Sequence, residues 1–158
     1  MAKYKGSPEE IEANYFAVSL LMPEEHFMSY SKGLPMSLAT VRQLSDYFVT
    51  SLTATARRYT ELSEDYCAIV CSEPGQVKWF HGSDNFMSAF WISPGTKLNR
   101  NTVAGELFSR NGQFGVKPEK VDISAWSDRN DCYGQKEFIE ESIYISKFRQ
   151  VYSLLYLP

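Results

Sequence analysis

Histidine and cysteine are scarce: the 158-residue chain has two His and three Cys. Cys67, Cys71 and Cys132 form an odd, sparse set that makes no disulfide framework and fits a reducing cytosol. His26 and His81 are isolated, and neither belongs to an HExxH, the spacing that sets two imidazoles on one helical face for zinc with a glutamate between them as base. GxSxG, P-loop and GxGxxG motifs are missing too, which removes the familiar hydrolase and nucleotide-binding signatures. No run approaches the roughly 18 apolar residues of a membrane span. Met1-Ala2-Lys3-Tyr4-Lys5 lacks the apolar stretch of a signal peptide, so a cytoplasmic protein with no membrane partner is expected. Charge of one sign is lacking as well. Sixteen Lys and Arg against nineteen Asp and Glu leave a net charge of −3, which argues against a strongly electrostatic nucleic-acid binder.

What the chain does have is aromatic residues: ten Tyr, ten Phe and three Trp, or 15% of the sequence. These large rigid side chains must fill a core. Hydrophobic residues at 44% and charged residues at 22% are ordinary for a globular protein, excluding disorder and a coiled coil. The length suits one domain or two very small ones.

The pattern changes near Ser63. In Ser7-Pro8-Glu9-Glu10 a hydroxyl cap, a proline at the first helical position and two acids open a helix. Ile11, Ala13, Phe16, Ala17, Leu20 and Leu21 then predict a broad buried stripe, ended by Pro23. Pro23-Glu24-Glu25 opens a short helix carrying Phe27, which Gly33 and Pro35 terminate. Ser37 caps a third helix with Leu38, Val41, Leu44, Tyr47 and Phe48 inward. After a break at Val49-Thr50-Ser51, a fourth helix runs through Leu52, Ala56, Tyr59 and Leu62. Two short helices about a three-residue break have helix-turn-helix proportions.

Beyond Ser63, residues 67–71 and 76–80 flank Glu73-Pro74-Gly75, a hairpin signal. Strands are also expected over 86–92, 121–126, 138–148 and 150–157. A helix capped by Asn101 or Thr102 is inserted among them, and 127–131 reads as a loop. Helices first, then strands with one inserted helix, predict an α+β fold with an antiparallel sheet.

Few residues offer chemistry. Glu9, Glu10 and Glu12 crowd one turn, where acids stabilise a helix start; a carboxylate acting as metal ligand or base needs partners that two isolated histidines do not supply. Cys67 and Cys71 share a strand face about 13 Å apart, too far for a shared metal or a disulfide, and read as small core residues.

The segment Ile11-Glu12-Ala13-Asn14-Tyr15-Phe16-Ala17-Val18-Ser19-Leu20-Leu21-Met22-Pro23 closely resembles a signature of the ImmA/IrrE metallopeptidase family, E-A-N-x-F-A-x-x-L-L-M-P. Leu44-Ser45-Asp46-Tyr47-Phe48-Val49-Thr50-Ser51, with Ala54, Ala56, Arg57 and Arg58, is similar to that family's helix-turn-helix-like part. There Val49 replaces the usual turn glycine, and Thr50 and Tyr59 replace the commoner Val and Leu. Residues 67–79, Phe90-Trp91-Ile92-Ser93-Pro94-Gly95-Thr96, Glu140-Glu141-Ser142 and Tyr152-Ser153-Leu154-Leu155 resemble its C-terminal extension. The likeness spans nearly the whole chain, more loosely after Ser63.

The resemblance implies a helical part over residues 1–62, containing the end of a peptidase-like region, and a GAF-like domain over 63–158. It makes Glu12 the third zinc ligand, with Glu10 and Glu9 as the other candidates. The two-histidine helix that precedes this segment in the family is absent, so Glu12 is an orphan ligand, the chain as given is not catalytically competent, and zinc is expected only with an HExxH segment upstream. Three functions follow from the likeness and the residues together. The first is a regulatory, non-catalytic polypeptide that binds a helix-turn-helix repressor protein or a small ligand, with Trp79, Phe80, Phe90, Trp91 and Trp126 as pocket or core. The second is a fragment of an active zinc endopeptidase. The third is DNA binding through Arg57 and Arg58, with Arg42 one helix earlier, a thin electrostatic footprint on an acidic chain.

Overall fold

The computed structural model describes residues 7–112, 117–132 and 134–158. It is α+β: helices first, then a five-stranded antiparallel sheet, as expected. The leading helices are α1 (Pro8–Leu21), α2 (Glu24–Ser31), α3 (Leu38–Phe48) and α4 (Leu52–Leu62). The sheet consists of β1 (Cys67–Glu73), β2 (Gln76–Gly82), β4 (Glu119–Asp122), β6 (Glu137–Ile145) and β7 (Gln150–Tyr156), in the order β2-β1-β7-β6-β4. A two-stranded ribbon pairs β3 (Phe90–Trp91) with β5 (Arg129–Asn130), and α5 (Asp84–Ala89) and α6 (Val103–Ser109) lie between strands.

Short polar side chains start five of the helices, three of them at caps read from the sequence. Ser7, Ser37, Ser51, Ser83 and Thr102 each accept a backbone N–H from the first turn of α1, α3, α4, α5 and α6. In α1 the Glu10 carboxylate also returns to the Ser7 amide at 2.9 Å, completing a reciprocal cap.

Alternation along the strands divides the interior in two. On one sheet face Ala68, Val70, Phe80, Phe138, Val151 and Leu155 pack with Phe86, Phe90, Leu107 and Trp126. On the other, Ile69, Trp79 and Tyr152 meet Met22, Phe27, Val41, Leu44, Ala56 and Tyr59 of the leading helical segment. The change of pattern near Ser63 is thus a real end of helix, but the two parts share a core across it.

Three expectations need correction. Residues 86–92 are mostly helix: the Ser83 hydroxyl caps Phe86, and Phe86 and Ala89 are buried at helical spacing, leaving only Phe90–Trp91 extended. The strand at 121–126 stops at Asp122, whose side chain accepts the Ser124 amide and turns 123–125 into a 3-10 helix. The polar loop 127–131 contains β5, held because the Ser127 hydroxyl bridges the backbone N–H and C=O of Trp91.

Two neighbouring residues of β6 tie these layers together. Glu140 is fully buried and accepts five hydrogen bonds. Oε2 takes the Val103 amide at 3.0 Å and the Trp126 indole N–H at 2.9 Å; Oε1 takes the Ala104 amide at 2.9 Å and the Ser142 and Ser153 hydroxyls at 2.7 and 3.3 Å. Glu141 points to the opposite face, where it accepts the Leu38 amide at the start of α3 and the Tyr156 hydroxyl, both at 2.9 Å.

Burial pushes the Glu140 carboxyl above its ordinary value, against the pull of Trp126, Ser142 and the Ala104 and Val103 amides. A folded value above the unfolded one adds stability that is complete below the unfolded value and lost as pH rises through the folded one. The unfolding free energy of the wild type should therefore fall relative to that of Glu140→Gln as pH is raised from about 4. Urea titrations across that range check this, and parallel curves would contradict it.

Val49, between α3 and α4, is 88% exposed and left-handed at φ 53°. A β-branched side chain there clashes with its own backbone and gains nothing from burial. Replacing it with glycine, the residue the family resemblance leads one to expect, should raise the unfolding free energy by about 1 kcal/mol. Denaturant unfolding of Val49→Gly measures it.

Candidate functional site

The helix that carries the strongest motif behaves unlike the others. A buried stripe is expected on α1, yet none of its residues is buried. Tyr15, Phe16 and Leu20 are each about two-thirds exposed, and Ile11 and Leu21 are exposed as well. The reason is visible in the spacing. At 3.6 residues per turn, Val18 and Met22 share one side of the helix and its cap, whereas Phe16 and Leu20 lie nearly opposite. Only the first side reaches the protein's own core, through buried Met22 and half-buried Val18. Apolar residues on nearly every side of a helix suit a position enclosed by neighbours, not one resting on a surface.

α1 is joined to the core at its C-terminal end, through Val18 and the capping residue Met22. The Arg58 side chain, 5% exposed, donates from Nε to the Met22 carbonyl at 3.3 Å and pairs with Glu61 at 3.1 Å. The Thr50 hydroxyl contacts the Met22 sulfur at 3.7 Å. Ser7 and Glu10 secure the other end as a helix start. Met28 on α2, Tyr47 on α3 and Val49 after it are exposed too. Tyr30 stacks on Tyr47 with ring centres 3.8 Å apart, and the Tyr47 hydroxyl meets His26 Nε2 at 2.9 Å. Tyr47 was expected inward; its half-open position corrects that.

The remaining candidate residues fall in separate places. Glu9, Glu10 and Glu12 are exposed on the first turns of α1. The backbone amide and then the Ser7 hydroxyl hold the Glu9 carboxyl below the usual carboxylate range. Among the described residues, no three His, Cys, Asp or Glu side chains gather as a metal-binding group. His81 lies under α4, with Nδ1 3.0 Å from the Thr60 hydroxyl. Burial first, then the nearby Arg57 charge, lowers its basicity. Cys67 and Cys71 are buried in β1, and burial pushes both thiols up to about 11, leaving no ready thiolate.

The aromatic group does not assemble into one pocket. Trp79 faces the helical layer, where the Arg57 guanidinium lies 4.8 Å from its ring centre. Phe80, Phe90, Trp91 and Trp126 face the other way, so the sheet itself separates them from Trp79. Phe90 packs on Phe138 at 4.9 Å, Trp91 on Phe80 at 5.2 Å, and Trp126 is spent on Glu140. A recess of about 440 Å³ lies elsewhere, where α3 and the start of α4 meet β6, lined by Leu38, Ala39, Arg42, Leu52, Glu141 and Ile143.

The two adjacent arginines each have a partner within the chain. Arg58 is buried against the Met22 carbonyl and Arg57 stacks on Trp79. Sequence spacing found both residues but not their directions, because α4 turns Arg58 under α1 and Arg57 toward the sheet.

No protein-family model matches the chain, and no curated protein matches it either. The likeness to the ImmA/IrrE family rests on the quoted motifs. Among the described residues no helix is long and apolar enough to cross a membrane.

Stability should separate the attachment of α1 from its outer surface. Arg58→Met leaves the Met22 carbonyl and Glu61 without their donor and should lower the unfolding free energy by about 2 kcal/mol. Phe16→Ser with Leu20→Ser removes side chains that α1 leaves open, and should change it by no more than about 0.5 kcal/mol. Equal losses in urea unfolding would contradict this division.

Proposed function

We propose that the chain is a regulatory, non-catalytic polypeptide that acts by binding another protein, with α1 as its docking element. The observation that carries this reading is the helix itself: capped at one end, clamped by Arg58 at the other, and apolar on the side that its own core does not reach. A solvated helix bearing Phe16 and Leu20 on its outer side gains stability when a partner covers them. By the resemblance to ImmA/IrrE proteins, with a GAF-like half after Ser63, the partner is a helix-turn-helix repressor in the cytoplasm.

A second reading keeps the same surface and changes its occupant. Glu12 is exposed on α1, one turn before Phe16, open to a zinc-bearing HExxH helix supplied by an upstream segment. On that reading the chain is part of a zinc endopeptidase. DNA binding has the least support, since Arg58 is buried and Arg57 lies on Trp79. For a small-molecule ligand, the recess beside Arg42 and Glu141 is better formed than the divided aromatic group.

The test is binding of the chain to the helix-turn-helix repressors of its source cells, measured by calorimetry. Phe16→Ser with Leu20→Ser should weaken the complex at least tenfold without altering the melting temperature. A complex indifferent to α1, or none with any repressor, contradicts the proposal. Stoichiometric zinc on the natively produced polypeptide would favour the peptidase reading.

A further inference from the structure

Between α2 and the C-terminal end of α4 lies a second recess, of about 760 Å³. Phe27, Met28 and Leu34 wall one side of it, and Tyr59 and Leu62 the other. Tyr59 is its unusual member. Nine-tenths of this residue is buried, yet its hydroxyl makes no hydrogen bond among the described residues. Tyr152 and Tyr156 donate theirs to Gln150 and Glu141, and a phenol taken from water ordinarily finds such a partner. Among the described residues Ser72 carries the one fully enclosed side-chain oxygen without a partner, so the Tyr59 oxygen opens to the recess that its side chain lines. Burial first, then the neighbouring Cys67 and Asp65, push the phenol up to about 12, so at neutral pH it is an intact hydroxyl that can donate or accept.

The charged residues of the recess set the sign of what it takes. Glu25, Glu64 and Asp65 line it together with Lys32, three carboxylates to one ammonium. The carboxylates come from α2 on one side and from the chain after α4 on the other. Among the described residues they do not gather as a metal-binding group, which suits a charge carried on an organic body rather than a bare ion. We infer that this recess binds a small organic ammonium ion with an apolar body, whose N–H donates to the Tyr59 hydroxyl while Phe27, Met28 and Leu62 cover the body and Glu25, Glu64 and Asp65 favour the charge.

The site shares no residue with α1, so it stands or falls apart from the docking element. The recess beside Arg42 differs on the decisive point, because its buried acid, Glu141, already holds Leu38 and Tyr156. An anion would meet three carboxylates beside Tyr59, and a wholly apolar ligand would cut the hydroxyl off from water without pairing it.

The test titrates the full chain with three probes of similar size, phenethylamine, phenethyl alcohol and hydrocinnamate, and follows its NMR signals. The amine should shift Phe27, Tyr59 and Leu62 and bind at least tenfold more tightly than the alcohol, with hydrocinnamate weaker still. Tyr59→Phe should weaken the amine about tenfold without lowering the melting temperature, because the hydroxyl it removes has no partner to lose. Glu64→Gln with Asp65→Asn should remove most of the margin of amine over alcohol, and that margin should shrink as salt is raised.

Equal binding of amine and alcohol, or a preference for hydrocinnamate, overturns the cationic ligand. Amine shifts that fall outside the recess, or an affinity that Tyr59→Phe leaves unchanged, overturn the site. No shift with any probe at about 10 mM, where millimolar dissociation constants show, overturns both. A loss of stability in Tyr59→Phe means that the hydroxyl is already satisfied, and overturns the site as well.

Discussion

Two consecutive carboxylates on β6 hold the layers of this protein in place. Neighbouring side chains of a strand leave on opposite faces, so Glu140 and Glu141 reach the two sides of the sheet. Each ends on the N-terminus of a helix, where amides lack intrahelical partners and the dipole favours a negative charge. Glu140 satisfies the Val103 and Ala104 amides of α6, while Thr102 takes Gly105. Glu141 satisfies Leu38, and Ser37 takes Thr40 at the same end of α3. Burying a carboxylate is costly, and five donors around Glu140 offset that cost while fixing where α6 and Trp126 sit.

The position of α3 governs what happens further out. α3 and α4 pack as a pair on the sheet, and α4 presents Arg58 to the end of α1. The leading helix meets this pair through Met22, the residue after its last turn, and its outer side at Phe16 and Leu20 is exposed.

Much of this was legible in residues. Serine and threonine caps marked three helix starts, at Ser7, Ser37 and Thr102, Glu73-Pro74-Gly75 marked the hairpin, and the apolar runs marked β1, β6 and β7. The errors share a cause, which is that spacing along the chain does not say what lies beside it. Phe86 to Ile92 is apolar enough for a strand, but the Ser83 cap makes most of it helix. The aromatic group was open between pocket and core, and the alternation along β2 sends Trp79 and Phe80 to opposite faces. The partners of Arg57 and Arg58 were not legible, because neither Trp79 nor Met22 is near them in sequence. Glu140 and Glu141 drew attention only within a likeness, since all their partners but Ser142 lie between 13 and 103 residues away.

The dependence of two helices on two adjacent residues is tested most directly by native-state hydrogen exchange. Glu140→Gln should speed exchange at Val103 and Ala104 and leave Leu38 protected, whereas Glu141→Gln should expose Leu38 and leave α6 unchanged. Loss of protection at both helices in each variant, or at neither, would contradict the account.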